Sequence, residues 1–447
     1  MASVSQVLLL LLCSYHALIA SAGDEQSYKI LTSSSRKPQA VCSEPRVSPP
    51  SSSGTTVPLN HRHGACSPVP SEKKPTFSGL LHRDQRRADY VQRKFSNNHR
   101  ISGLRSSEVT VPTKLGSSLD TLEYVITIGL GSPAVTQTMI IDTGSDVSWV
   151  HCDAGSPFDP SKSSTYSAFS CGAAECTQLG AEGNDCSNSQ CQYMVMYGDS
   201  SNTTGTYGSD TLSLTASETV ADFQFGCSHA ENGFTDKTDG LMGLGGDTQS
   251  LVSQTAAKYG KAFSYCLPPT TSHQGFLTLG APSSTSDFVT TGMLRSQQVP
   301  TFYGALLQGI SVGGKTIGVS PSVFSAGSVM DSGTIITRLP PTAYKALSSA
   351  FKDGMKQYPS APPRSILDTC FDFDGHDNVT IPSVALVFHG GAVVDLDGNG
   401  IMFGSCLAFT ATDDDRSTGI IGNVQQRTFE VLYDVGQSVV GFRPNAC

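Results

Sequence analysis

Two short runs constrain this chain more than any other feature. Met139-Ile140-Ile141 leads into Asp142-Thr143-Gly144-Ser145, and far along the chain Ser328-Val329-Met330 leads into Asp331-Ser332-Gly333-Thr334. Each is followed, about half a lobe later, by paired apolar residues between glycines: Gly240-Leu241-Met242-Gly243 and Gly419-Ile420-Ile421-Gly422. A single Asp-Thr/Ser-Gly is commonly a strand-end turn, with Asp and Gly chosen for backbone conformation. Two copies at matching places, each entered by an apolar strand and followed by a hydroxyl residue, describe one fold written twice.

The chemistry explains the residue types. Gly144 and Gly333 let the backbone turn so that each carboxylate points into a gap between two lobes. Two carboxylates within hydrogen-bonding distance cannot both ionise freely, so they share one proton over an acidic range. The charged member can then take a proton from a bound water while the protonated member polarises a carbonyl, with no metal or covalent intermediate. Ser145 and Thr334 can each donate to their own aspartate.

The rest of the chain fits a two-lobed body behind a leader. Residues 1–107 carry 14 Lys+Arg against 6 Asp+Glu, and residues 108–447 carry 15 against 32. An acidic body argues against nucleic acid as its main target. Val7 to Leu12 is a short apolar core, and Ala20-Ser21-Ala22 has the form of a signal-peptidase site, which makes residues 1–22 a signal peptide. No later stretch reaches the roughly 18 apolar residues of a spanning helix. A soluble protein of the secretory route is expected, extracellular first, with vacuole or plastid as alternatives. Residues 23–108 are rich in Ser, Pro and basic residues. Within them Phe77, Leu81, Ala88, Val91 and Phe95 recur at helical spacing among Arg83, Arg86, Arg87, Arg93 and Lys94. This basic amphipathic helix is either a solvated linker or part of an inhibitory prosegment.

From Glu108 the pattern changes to short β-branched and aromatic runs broken by Gly, Ser, Asn and Asp. Examples are Tyr124 to Ile128, Thr138 to Ile141, Gln192 to Met196, Thr211 to Leu214, Phe276 to Leu279 and Phe429 to Tyr433. Helical windows are few: Ser250 to Tyr259, Pro341 to Gln357 and Asn423 to Arg427. The body is therefore mostly β, in two lobes: residues 109–300 with Asp142 and residues 301–447 with Asp331.

With both aspartate motifs in place, the chain resembles the pepsin-type aspartic endopeptidases, and within them the plant nepenthesin-like branch. Tyr197-Gly198-Asp199, the run Gly309 to Gly314, Arg338-Leu339-Pro340-Pro341 and the leader segment His61 to Pro68 carry that likeness. The resemblance implies a bilobal, pepsin-like double β-barrel with a cleft between pseudo-two-fold-related lobes. It implies Asp142 and Asp331 as the catalytic pair, supported by Thr143, Gly144, Ser145, Ser332, Gly333 and Thr334. Tyr197 and Gly198 would belong to a flap, with Trp149, the only tryptophan, hydrogen-bonded to the flap tyrosine. The implied function is hydrolysis of peptide bonds at acidic pH by a monomer that needs no cofactor, contacts neither nucleic acid nor membrane, takes polypeptides as substrate and is held inactive by its own prosegment. The alternatives are a non-catalytic binding or inhibitor protein on the same scaffold, and a plastid DNA-associated relative.

The flap departs from the usual Tyr-Gly-Asp-Gly, with Ser200 in fourth place. Asn202-Thr203-Thr204 and Asn378-Val379-Thr380 are glycosylation sequons, and a glycan at Asn202 would sit at the cleft mouth. The body holds ten cysteines. Two Cys-x4-Cys pairs raise the question of zinc, but zinc hooks are tighter and the secretory start favours oxidation. The family pattern implies Cys171–Cys191, Cys176–Cys186, Cys266–Cys447 and Cys370–Cys406. The branch's cysteine-rich insert is cut short here, which leaves Cys152 and Cys227 to bond each other or stay free. Cys42 and Cys66 are in the same position within the leader. Asp395 to Gly400 copies half a calcium loop, but Cys406 stands where the bidentate glutamate belongs, and the run reads as a β-turn.

Overall fold

The computed structural model describes residues 27–32, 42, 54–69, 76–96, 124–152, 155–197, 201–232, 238–268 and 273–446. The signal peptide, the maturation region near Val109, the flap tip Gly198–Ser200 and Cys447 lie outside the described residues.

The chain is mostly β, and the duplicated motif explains its plan. In the first half Val135–Asp142 ends on the aspartate and lies parallel to Gly240–Gly243, with Gly243 opposite Asp142. In the second half Ser328–Met330 lies parallel to Gly419–Ile421, with Met330 opposite Ile421. Both aspartate strands are buried on both faces, which is why they read as unbroken apolar runs rather than alternating ones. Leu244 N–H donates to the Asp142 carbonyl at 2.8 Å, and Asp331 N–H to the Ile421 carbonyl at 3.1 Å. The loops after the two strands thus converge at one seam.

A shared sheet joins the halves: Ala262–Cys266 pairs with Gln274–Leu279 on one side and Glu430–Asp434 on the other, and Val439–Arg443 and Val289–Leu294 continue it. Its core is aromatic, with Phe263 and Tyr433 stacked at 4.7 Å and Tyr303 tilted against Tyr433 at 5.0 Å. Pro341–Gly354 is the long helix of the body and buries Ala343, Leu347 and Phe351. The window Ser250 to Tyr259 is two single-turn helices, Leu251–Gln254 and Ala256–Tyr259, broken at Thr255. The Asp395 run is a strand end followed by the one-turn helix Gly398–Ile401, capped by Asp397, rather than a simple β-turn.

The leader is built into this architecture. Thr55–His61 forms a strand between Gln274–Leu279 and Tyr124–Leu130, burying Val57 and Leu59. Tyr28–Thr32 pairs with Asn378–Pro382. The helix α1, Phe77–Ser96, lies in the cleft with Leu81, Ala88 and Val91 buried. The sequence reading places the helix but neither leader strand. Among the described residues no helix is long and apolar enough to cross a membrane.

Candidate active site

Asp142 and Asp331 meet where the two aspartate loops converge, and both are fully buried. Each loop holds its carboxylate in the same way. Ser145 Oγ donates to Asp142 Oδ2 at 2.7 Å and Gly144 N–H to Oδ1 at 3.0 Å. Thr334 Oγ1 donates to Asp331 Oδ2 at 2.6 Å and Gly333 N–H to Oδ1 at 3.2 Å. The second residues of the motifs lock the loops together: Ser332 N–H donates to Thr143 Oγ1 at 2.9 Å, and Thr143 N–H to Ser332 Oγ at 3.2 Å. A Cβ at Gly144 would collide with the Arg87 guanidinium and press on Asp331 Oδ1 at 3.1 Å and the Phe302 ring at 3.2 Å.

Between the carboxylates sits Arg87 of α1. Its Nη2 lies 2.8 Å from Asp142 Oδ1 and 2.9 Å from Asp331 Oδ1, so one nitrogen touches both residues. Its Nε donates to Asp331 Oδ2 at 3.0 Å and its Nη1 to Asp142 Oδ2 at 3.3 Å. Burial alone would raise the Asp331 carboxyl, but the Arg87 charge and the hydrogen bonds from Arg87, Thr334 and Gly333 outweigh it and hold the group below the usual carboxylate range. Burial works against the Arg87 charge in turn, and the two carboxylates overcome it, holding the guanidinium well above its ordinary value. In this state the dyad is occupied by a cation from the same chain.

One turn earlier on α1, Asp84 is buried against the second lobe. Its carboxylate accepts from the N–H of Ile335 at 2.5 Å and of Ile336 at 3.2 Å, and forms an ion pair with Arg338 Nη1. Phe77 stacks on Phe403 at 5.1 Å and Phe95 tilts against Phe302 at 5.5 Å, so both helix ends are pinned by aromatic contacts. Sequence reasoning assigned no role to Asp84, Arg87 or Arg338. A signal was present, because Asp84 and Arg87 fall in register with Leu81, Ala88 and Val91, where a solvated helix would carry its charges elsewhere.

The strands Gln190–Met196 and Asn202–Ser213 form a hairpin over the site, closed by the Tyr197 N–H to Ser201 carbonyl bond at 2.9 Å. Trp149 Nε1 donates to the Tyr197 hydroxyl at 2.7 Å. Burial lifts the Tyr197 phenol well above its ordinary value despite the pull of Trp149, so it stays protonated. Asn202 is half-buried at the start of the returning strand, and Asn378 is exposed opposite Thr32.

The disulfides correct one expectation. Cys171 bonds Cys186, and Cys176 bonds Cys191, instead of Cys171–Cys191 and Cys176–Cys186. Cys186 and Cys191 stand opposite each other in adjacent strands and so project from the same face, and burial separates them. Cys191 is buried where Cys176 of the helix Ala174–Gln178 packs, while Cys186 lies on the exposed strand Gly183–Ser187. Cys152 bonds Cys227, Cys370 bonds Cys406 and Cys42 bonds Cys66. Cys266 is itself disulfide-bonded, and its expected partner Cys447 lies outside the described residues. Among the described residues no group of three or more His, Cys, Asp or Glu side chains could hold a metal ion.

Comparison with known proteins identifies the family. A family model described as Xylanase inhibitor N-terminal matches residues 124–281, and one described as Xylanase inhibitor C-terminal matches residues 302–444. An aspartyl protease family protein of Arabidopsis thaliana is 41% identical over 89% of this chain and 88% of its own length. The Arabidopsis aspartyl protease AED1 is 38% identical over 99% and 98%, a span that includes the leader. Aspartic proteinase nepenthesin-2 of Nepenthes gracilis is 33% identical over 76% and 81%. In fold, the crystal structure of basic 7S globulin from soybean superposes with a TM-score of 0.60 at 21% identity, covering 73% of this chain and 92% of that one. The chain belongs to the plant branch of the pepsin-like aspartic protease family.

Proposed function

We propose that this chain is the zymogen of an aspartic endopeptidase that hydrolyses polypeptides at acidic pH. The observation that carries the reading is the dyad itself: two buried carboxylates from matching loops, each held by a glycine N–H and a hydroxyl, with one guanidinium nitrogen within 2.9 Å of both. Once Arg87 leaves, a water can take its place. The charged carboxylate would accept a proton from that water as it attacks the substrate carbonyl, and the protonated one would donate to the developing oxyanion. Extended substrate would lie in the cleft now filled by α1, covered by the Tyr197 hairpin. Residues 23–108 act as an intramolecular inhibitor in this reading. The signal-like N-terminus makes the protein secreted, extracellular before vacuolar or plastid, and the two sequons make it a glycoprotein.

A non-catalytic binding protein on the same scaffold is the second reading, suggested by the inhibitor descriptions of the matching family models. It gives no reason to retain both aspartates with their hydroxyl donors. The test is to hold the full chain at acid pH, map cleavages in a denatured peptide mixture with and without pepstatin, and repeat with Asp142→Asn. Pepstatin-sensitive cleavage that Asp142→Asn abolishes is expected. Its absence under all acid conditions, with the leader removed, would leave the binding protein.

A further inference from the structure

The socket that holds Asp84 belongs to the body, and Asp84 does not. Three donors make it: the N–H groups of Ile335 and Ile336, four and five residues beyond Asp331, and the guanidinium of Arg338. Arg338 is 1% exposed and lies on Thr337–Leu339, fixed between Phe409–Ala411 and Ile420. Its Nη1 also donates to the Ile336 carbonyl and its Nη2 to Gln85 Oε1 at 3.4 Å, while its Nε is buried without a partner. Among the described residues, the carboxylate it meets is that of Asp84 on α1. When α1 leaves, the cleft wall keeps a guanidinium and two N–H groups converging on an empty place. With α1 gone, the guanidinium and the two N–H groups face the cleft as a convergent set of donors, an arrangement that recognises a carboxylate.

We propose that this socket is a substrate subsite for a carboxylate, and that Arg338 makes the protease favour an acidic residue near the bond it cuts. The proposal rests on the endopeptidase reading and adds its substrate class. Asp84 and Arg87 are one helical turn apart, about 5 Å along the axis. An extended peptide rises about 3.3 Å per residue, so the subsite serves a side chain roughly one or two residues from the scissile bond. Either an internal Asp or Glu side chain or the terminal carboxylate of a short peptide presents the required group.

The test uses the full chain after acid treatment and one parent peptide. Asp, Asn, Glu and Gln are placed in turn at each position around the cut, with the C-terminus free or amidated. An internal subsite gives kcat/KM about tenfold or more higher for Asp or Glu than for the matching amide at one position on one side of the cut. Burial lifts the Asp84 carboxyl held in this socket, so a substrate acid should keep its advantage over the amide below about pH 4 as it takes up a proton. A dependence on the free C-terminus alone assigns the socket to the chain end. Arg338→Gln should bring the acid-to-amide ratio near one, and Arg338→Lys should restore part of it. The acid-to-amide comparison on unaltered protein decides the matter even where a variant does not fold. Neutral peptides cut in a pepstatin-sensitive manner, with no acid preference at any position, overturn the proposal and leave the endopeptidase reading standing. If no peptide is cut, that reading fails, and formate binding to the full-length Asp84→Ala protein decides the socket. A saturable rise in melting temperature with formate, absent from Asp84→Ala/Arg338→Gln, supports it; no such rise overturns it.

Discussion

Arg87 and the dyad define each other's charge state, and this makes docking of α1 sensitive to pH. Asp331 is held below the ordinary carboxylate range in the docked state. A depressed carboxylate adds stability that is present above its free pKa and is lost as pH falls through its docked value. The dyad contribution therefore weakens with acid. Asp84 has the opposite sign: burial lifts its carboxyl, against the pull of Arg338 and the two N–H groups, so its contribution is largest at low pH. Arg87→Gln should release α1 at a less acidic pH and flatten the dependence, because removing one partner of a buried ionic cluster costs about 3–5 kcal/mol. Protease sensitivity of residues 77–96 across pH 7 to 3 reads this directly. Thr334→Ala removes a donor that holds Asp331 down, so the acid limb of kcat/KM should move to higher pH, and an unmoved limb would count against that role. At this scale the aspartates and their hydroxyl donors were legible because they repeat. Arg87 was not, because Arg83, Arg86, Arg93 and Lys94 on the same helix made it look like one more solvated charge.

At the scale of elements, α1 is a lid made of three kinds of contact: an apolar stripe, the Arg87 cluster and the Asp84 socket. Leu81 packs with Ile335, Ile336 and Leu367, whereas Ala88 and Val91 pack with Val299, Phe302 and Ile420. Leu81→Ala should weaken docking by roughly 2–5 kcal/mol while leaving the fold of the body intact. Limited proteolysis at neutral pH should then cut α1 early, with the melting temperature of the remaining body unchanged. The helix was legible from its period of three to four residues, and most body strands from β-branched runs. The leader strand Thr55–His61 was missed because Pro58 and the polar ends mask its alternation, and only the neighbouring strands reveal why it pairs. The crossed reading of Cys171, Cys176, Cys186 and Cys191 failed for a similar reason, since spacing does not say which cysteine of a strand pair is buried against the helix Ala174–Gln178.

Over the whole molecule, charge imbalance alone is a poor account of how the leader is held. The basic leader and acidic body do complement each other, but the leader is secured by strand pairing and buried contacts that salt does not screen. The body has its own acid response. Burial pushes the Asp146 carboxyl up to about 6, although Thr301 and the Asp247 N–H donate to it. Burial likewise lifts Glu182 to about 7, with the Asp146 charge adding and Lys94 of α1 opposing. Raised carboxylates contribute stability that is complete below their unfolded pKa, near 4, and is lost as pH rises through 6 to 7. The body should accordingly melt at a higher temperature at pH 5 than at pH 8, and Asp146→Asn should reduce the difference. A body that is most stable where the dyad loses its hold on Arg87 suits the proposed endopeptidase activity at acidic pH.

The most direct measurement follows two signals in one sample: hydrolysis of a peptide by the full-length chain after a step to acid pH, and the fate of residues 77–96 by mass spectrometry. A lag is expected, then hydrolysis that rises in step with displacement or loss of α1, and no hydrolysis in Asp142→Asn. Hydrolysis at full rate while α1 remains intact and protected, or equal hydrolysis by Asp142→Asn, would contradict the zymogen reading.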